Sequence, residues 1–119
     1  MSYDIELIHP VTRATLQLDA PHHMRGGTYP VGGETHARLN VTYNYAPTFA
    51  KAFNNPDGVK ILNGMSAAES IQLIKAALPL LADNVDADYW KPTEGNAKSA
   101  LTQLLALAYM RPDGIWEVS

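Results

Sequence analysis

Apolar and polar positions alternate in two stretches of the chain, and helical signals mark three more. Near the start, Tyr3, Ile5 and Leu7 alternate with Asp4 and Glu6, and Leu16 and Leu18 alternate after the connection His9-Pro10-Val11-Thr12-Arg13. This pattern predicts a hairpin over residues 3–18. The alternation is stricter over residues 37–43, with Ala37, Leu39, Val41 and Tyr43 on one face and Arg38, Asn40, Thr42 and Asn44 toward the other. Successive strand side chains point to opposite faces, so this segment reads as a half-buried strand. Thr28-Tyr29-Pro30-Val31 lies between Gly26-Gly27 and Gly32-Gly33. A proline withholds a ladder donor, which makes this piece an edge strand or an extended loop.

Pro47 suits the first turn of a short helix through Phe53, closed by the turn-forming run Asn54-Asn55-Pro56-Asp57-Gly58. Ser66-Ala67-Ala68-Glu69 is a capping box: the serine hydroxyl accepts from a backbone N–H three residues on, and the glutamate reaches back. Ile71, Ile74, Leu78 and Leu81 follow at helical spacing, and Pro79 predicts a kink or a split-off last turn. After the connection from Asn84 to Lys91, a third helix starts near Thr93 or Glu94 and runs to about Met110. Ala97, Leu101, Leu104, Leu105 and Ala108 share its apolar face, and Arg111-Pro112-Asp113-Gly114 ends it. Ile115 to Val118 fits either an added edge strand or a terminus resting Trp116 on the core.

Strands first and helices afterwards, without β-α-β alternation, predict a single α+β domain over residues 1–119. It would be a small, mainly antiparallel sheet, the hairpin plus strand 37–43, with about three helices on one face. The chain's 119 residues and 46% hydrophobic content suit one buried core. Without cysteine, disulfides, thiolate catalysis and cysteine-ligated zinc are excluded. The beginning MSYDIELI carries Asp4 and Glu6 rather than a basic region before an apolar run, so a soluble cytoplasmic protein with no membrane contact is expected.

The formal charge of −3 leans to the second half: residues 61–119 carry seven acidic and four basic side chains, against five of each in residues 1–60. No basic stripe is visible, which argues against direct binding of duplex nucleic acid. Asp83-Asn84-Val85-Asp86-Ala87-Asp88 resembles a calcium loop only superficially, because Val85 and Ala87 stand where oxygen ligands belong and the turn glycine is missing. It reads as a solvated loop.

Candidate binding chemistry gathers between Asp19 and Tyr45, which holds three of the four histidines, two Gly-Gly pairs and three of the six tyrosines. Paired glycines permit close backbone approach, while histidine and tyrosine offer polar tips on flat bodies. The candidate binding residues are His22, His23, Arg25, Gly26, Gly27, Tyr29, His36, Tyr43 and Tyr45. Adjacent His22 and His23 lack a chelating spacing, so no metal or cofactor is expected. The glycines match neither the phosphate-binding loop nor the dinucleotide fingerprint, and no serine forms a nucleophile elbow. Such glycines more often serve turns and bulges beside strands, and tyrosines such as Tyr43 and Tyr45 more often fill a core than anchor an interface.

PHHMRGGTYPVGG, LNVTYNY and EGNAKSALTQLLALAYMRPDGIW resemble phrases in small proteins, of no named activity, that bacteriophages and other bacterial mobile elements encode. The resemblance spans most of the chain and brings no catalytic residues with it. It implies a small accessory protein that binds a host factor, including a defence factor, in the bacterial cytoplasm. The expected function is therefore stoichiometric, non-enzymatic binding of a host protein or a small anionic ligand through the 22–45 surface. Two readings of other classes stand beside it. One is a small nucleotide-handling enzyme with a histidine acid or base; the other is a structural subunit that forms a homo-oligomer through Trp116 and the edge strand.

Overall fold

The protein is described here by a computed structural model covering residues 1–23 and 33–119. The strands are β1 (Ser2–Ile8), β2 (Gln17–His23), β3 (Gly33–His36), β4 (Arg38–Thr42) and β5 (Ile115–Val118). The helices are α1 (Ala46–Phe53), α2 (Ala67–Ala77) and α3 (Glu94–Met110). The architecture is α+β. The segment Thr28 to Val31 lies outside the described residues.

β1 is the centre of an antiparallel sheet ordered β4-β1-β5, and β2 and β3 form a second, two-stranded sheet. Ile5 pairs with Leu39 on one side and Val118 on the other, which shows that both edges of β1 are occupied. This explains the one difference from the expected hairpin. The chain does reverse after β1, with the His9 N–H donating to the Ala14 carbonyl at 2.8 Å, but the returning strand meets β1 only at the Ile8–Thr15 bridge. With no free edge to join, β2 pairs with β3 instead.

The two sheets meet in a closed ring of backbone hydrogen bonds. Leu7 N–H donates to Ala37 O at 2.9 Å, Ala37 N–H to Leu16 O at 2.8 Å, and Leu16 N–H to Leu7 O at 2.9 Å. All three side chains are buried. Gly114 packs beneath this junction: a Cβ there would lie 2.9 Å from Leu16 Cδ1 and 3.0 Å from Leu7 Cβ, so a larger residue would have to push these two side chains aside.

The last four-residue segment is a strand, and its outer edge is covered. Trp116 N–H donates to Met65 O at 2.9 Å, Gly64 N–H to Trp116 O at 2.8 Å, and Val118 N–H to Asn63 Oδ1 at 3.0 Å. Trp116 is 1% exposed, and its indole N–H donates to Ser70 Oγ at 2.7 Å; the Ser70 hydroxyl donates in turn to Ala67 O. A buried indole needs such a partner. Trp116 is thus a core residue, and the outer edge of β5 is hydrogen-bonded to the Asn63–Met65 segment.

The helices follow their local signals. α1 has proline in its first turn and ends at Asn54, whose φ of 50° is left-handed. Ser66 Oγ accepts from the Glu69 N–H at 3.1 Å and starts α2, and Pro79 sits in a separate 3-10 turn, Leu78–Leu80. Thr93 caps α3 by accepting from the Asn96 N–H at 3.1 Å. Ala97, Leu101, Leu104 and Ala108 are buried in one core with Ile5, Leu7 and Leu39, while Leu105 is only partly buried. The alternation of β4 holds through Val41 and then ends: Thr42 is buried, and Tyr43 opens a 3-10 turn.

Ser66→Ala should lower stability by about 1 kcal/mol through the lost cap, and Leu104→Ala by roughly 2–5 kcal/mol through the cavity it leaves. Chemical denaturation of the two variants checks both values. Equal and negligible losses would contradict the described cap and core.

Candidate functional site: the β2–β3 ribbon

The second sheet is a ribbon built on the ring at Leu7, Leu16 and Ala37. Its register is Gln17–His36, His22–Glu34 and His23–Gly33, so β2 advances five positions where β3 advances two. The surplus residues of β2 form a bulge. Pro21 falls within it, where the missing N–H costs no ladder bond.

Gln17, Asp19, Ala20, Pro21, Thr35 and His36 are exposed, whereas Leu18 packs partly against the core. Across the base of the ribbon, the Thr35 hydroxyl donates to Gln17 Oε1 at 3.1 Å. Arg111, just beyond α3, donates from Nη1 to the Gln17 carbonyl at 2.8 Å and grips Asp113 through Nε and Nη2 at 3.1 and 2.8 Å. Those hydrogen bonds hold the Asp113 carboxyl below the usual carboxylate range and raise the Arg111 pKa further, with Asp19 adding to the latter. A charge-assisted clamp thus ties the ribbon to the turn between α3 and β5.

The candidate residues divide into three groups. His22 and His23 occupy the far end of β2, and His36 lies on β3 opposite Gln17. Arg25, Gly26, Gly27 and Tyr29 lie outside the described residues. Tyr43 and Tyr45 follow β4 and join the core side of the molecule instead of the ribbon. Tyr43 is half-buried with its ring edge-on to Tyr3, the centroids 4.6 Å apart.

Tyr45 is fully buried between Phe49 and Tyr89, with ring centroids at 6.0 and 5.6 Å. Its hydroxyl donates to the Tyr89 carbonyl. Burial, reinforced by Tyr89, pushes its pKa far above the ordinary tyrosine range. Tyr45 is therefore a core residue with no surface for a partner.

Sequence reasoning missed the polar network behind Tyr45. The Tyr89 hydroxyl accepts from the Thr42 N–H at 2.6 Å. Asn96, fully buried, donates to the Asp88 and Lys91 carbonyls at 3.1 Å each and accepts from the Asp86 N–H at 2.9 Å. The signal was a polar residue on the helical stripe that continues through Ala100, Leu104 and Leu107. A Cβ on neighbouring Gly95 would come within 2.5 Å of Asn84 C and Val85 N, so the loop rests directly on the start of α3.

The aspartates of that loop serve the loop itself. Asp83 pairs with Lys98 at 2.8 Å, Asp86 with Lys91 at 3.5 Å, and the Asp86 and Asp88 carboxylates accept from the N–H groups of Asp88 and Trp90. Among the described residues no three histidine, cysteine, aspartate or glutamate side chains are grouped to hold a metal ion. An open depression of about 420 Å³ runs between Val85 and the Gly95, Ser99 and Thr102 side of α3. The Ser99 and Thr102 hydroxyls donate to helix carbonyls at 3.1 and 2.8 Å, so they do not converge on the space.

Comparison with known proteins yields no match: no family model fits the chain, and no curated protein or solved structure is significantly similar to it. No helix among the described residues is long and apolar enough to cross a membrane. What the fold defines is an α+β core carrying an exposed two-stranded ribbon.

Tyr45→Phe removes the hydroxyl that satisfies a buried carbonyl and should cost about 1–3 kcal/mol. Urea denaturation measures this, and an unchanged midpoint would show that the carbonyl is satisfied in another way.

Proposed function

We propose that this chain is a small, non-enzymatic binding protein of a phage or mobile element, acting stoichiometrically on a host protein in the bacterial cytoplasm through the β2–β3 ribbon. The observation that carries this reading is the separation of ribbon from core. β1, β4 and β5 use their apolar faces and edges to build the packed domain, while Gln17, Asp19, Ala20, Pro21, Thr35 and His36 stay exposed. The ribbon also collects the His22, His23 and His36 positions that the sequence singles out.

A ribbon with exposed polar side chains suits a protein partner better than a small ligand, which is more commonly enclosed in a concavity. Protein recognition also concentrates in a few anchor side chains flanked by near-neutral contacts. Phage origin and the host-factor target rest on the resemblance of the quoted phrases. A small anionic ligand remains the alternative occupant of the same surface.

The test is a titration of the purified chain against the host protein recovered with it by crosslinking. Binding should saturate at a fixed ratio, and His36→Ala combined with His22→Ala should weaken it roughly tenfold or more without moving the thermal midpoint. Unchanged affinity would remove the ribbon from the interface. Turnover of a nucleotide that ceases in the same variant would replace binding with catalysis.

A further inference from the structure

Three of the four histidines belong to β2 and β3; the fourth, His9, is built into the turn that delivers β2. Its Nδ1 accepts hydrogen bonds from both the Val11 and Thr12 N–H groups, each at 3.1 Å. The His9 N–H donates to Ala14 O at 2.8 Å, and the His9 carbonyl accepts from the Arg13 N–H at 2.9 Å. A ring nitrogen that accepts carries no proton, which places the proton of the neutral ring on Nε2.

The charged groups around this turn come from two directions. Asp113, in the turn between α3 and β5, is held by Arg111, whose hydrogen bonds lower its pKa, with His9 a lesser contributor. On the turn itself, Arg13 has a left-handed φ of 62° and reaches Glu117 at 2.9 Å. The Arg111 hydrogen bonds keep Asp113 ionised well below neutrality.

We propose that His9 is a proton-operated latch on the turn that delivers the ribbon: its neutral ring closes the His9–Ala14 turn, and protonation at Nδ1 opens it. Taking a proton from solvent turns the Nδ1 acceptor into a donor, so the Val11 and Thr12 amides lose their partner together.

The turn bears on the first strand of the ribbon. The turn leads through the Ile8–Thr15 bridge to Leu16, and Arg111 holds the Gln17 carbonyl. The inference is independent of what the ribbon binds.

The experiment is a pH titration from about 8 to 5, followed by NMR on the ¹⁵N-labelled full chain beside His9→Asn. Asparagine offers a side-chain oxygen to the same following amides and does not titrate. In the wild type, the Val11 and Thr12 amides should shift together with the His9 ring, and their protection should fall at least tenfold. His9→Asn should show neither change. The latch is overturned if those amides stay fixed while the His9 ring titrates, or if His9→Asn responds as the wild type does. Should His9→Asn fail to fold, the wild-type titration decides alone, because amides that keep their shifts and protection across the range overturn the latch.

Discussion

The ring of backbone hydrogen bonds among Leu7, Leu16 and Ala37 is the constraint on which the rest of the structure depends. A strand has only two edges, and β1 spends both on β4 and β5. Every further strand must find another partner or leave its backbone groups unpaired, which is costly in a buried position. At the ring, three chain segments each donate to the next, so the buried backbone stays satisfied while β2 and β3 turn away together. Gly114 makes the arrangement compact enough to be covered by the turn that follows α3.

Buried polar groups secure the elements around this junction. Trp116 binds Ser70, tying β5 to α2; Asn96 ties the loop before α3 to that helix; and Tyr45 and Tyr89 tie the loop to the end of β4. Each group has a partner, as burial demands. Their geometric requirements exceed those of apolar contacts, and they fix which loop lies on which helix. Surface ion pairs such as Arg13–Glu117 contribute far less, because solvent screens them.

Elements whose signals are local were legible in the sequence. β4 was visible in its alternation, α2 in its capping box, the split after Ala77 in Pro79, and α3 in its stripe and its Arg111-Pro112-Asp113-Gly114 stop. What depends on distant competition was not legible. The partner of β2 is decided by β5, which pairs Trp116 with Leu7 from the opposite end of the chain. The burial of Tyr45 likewise depends on a carbonyl 44 residues away. Of the candidate site, the strand positions of His22, His23 and His36 gather on the ribbon, while Tyr43 and Tyr45 do not, because a sequence neighbourhood of polar aromatics does not distinguish a core from a surface.

The structural account makes the ring part of the core and the ribbon an appendage, a division that native-state hydrogen exchange reads directly. The Leu7, Leu16 and Ala37 amides should exchange only through global unfolding, with the same free energy as the central amides of α3. The Thr35 and His22 amides should exchange through smaller openings that leave the core intact. If Leu16 and Ala37 open together with Thr35 and His22 at a free energy well below that of α3, the ring is not the anchor described here and the division between core and ribbon fails.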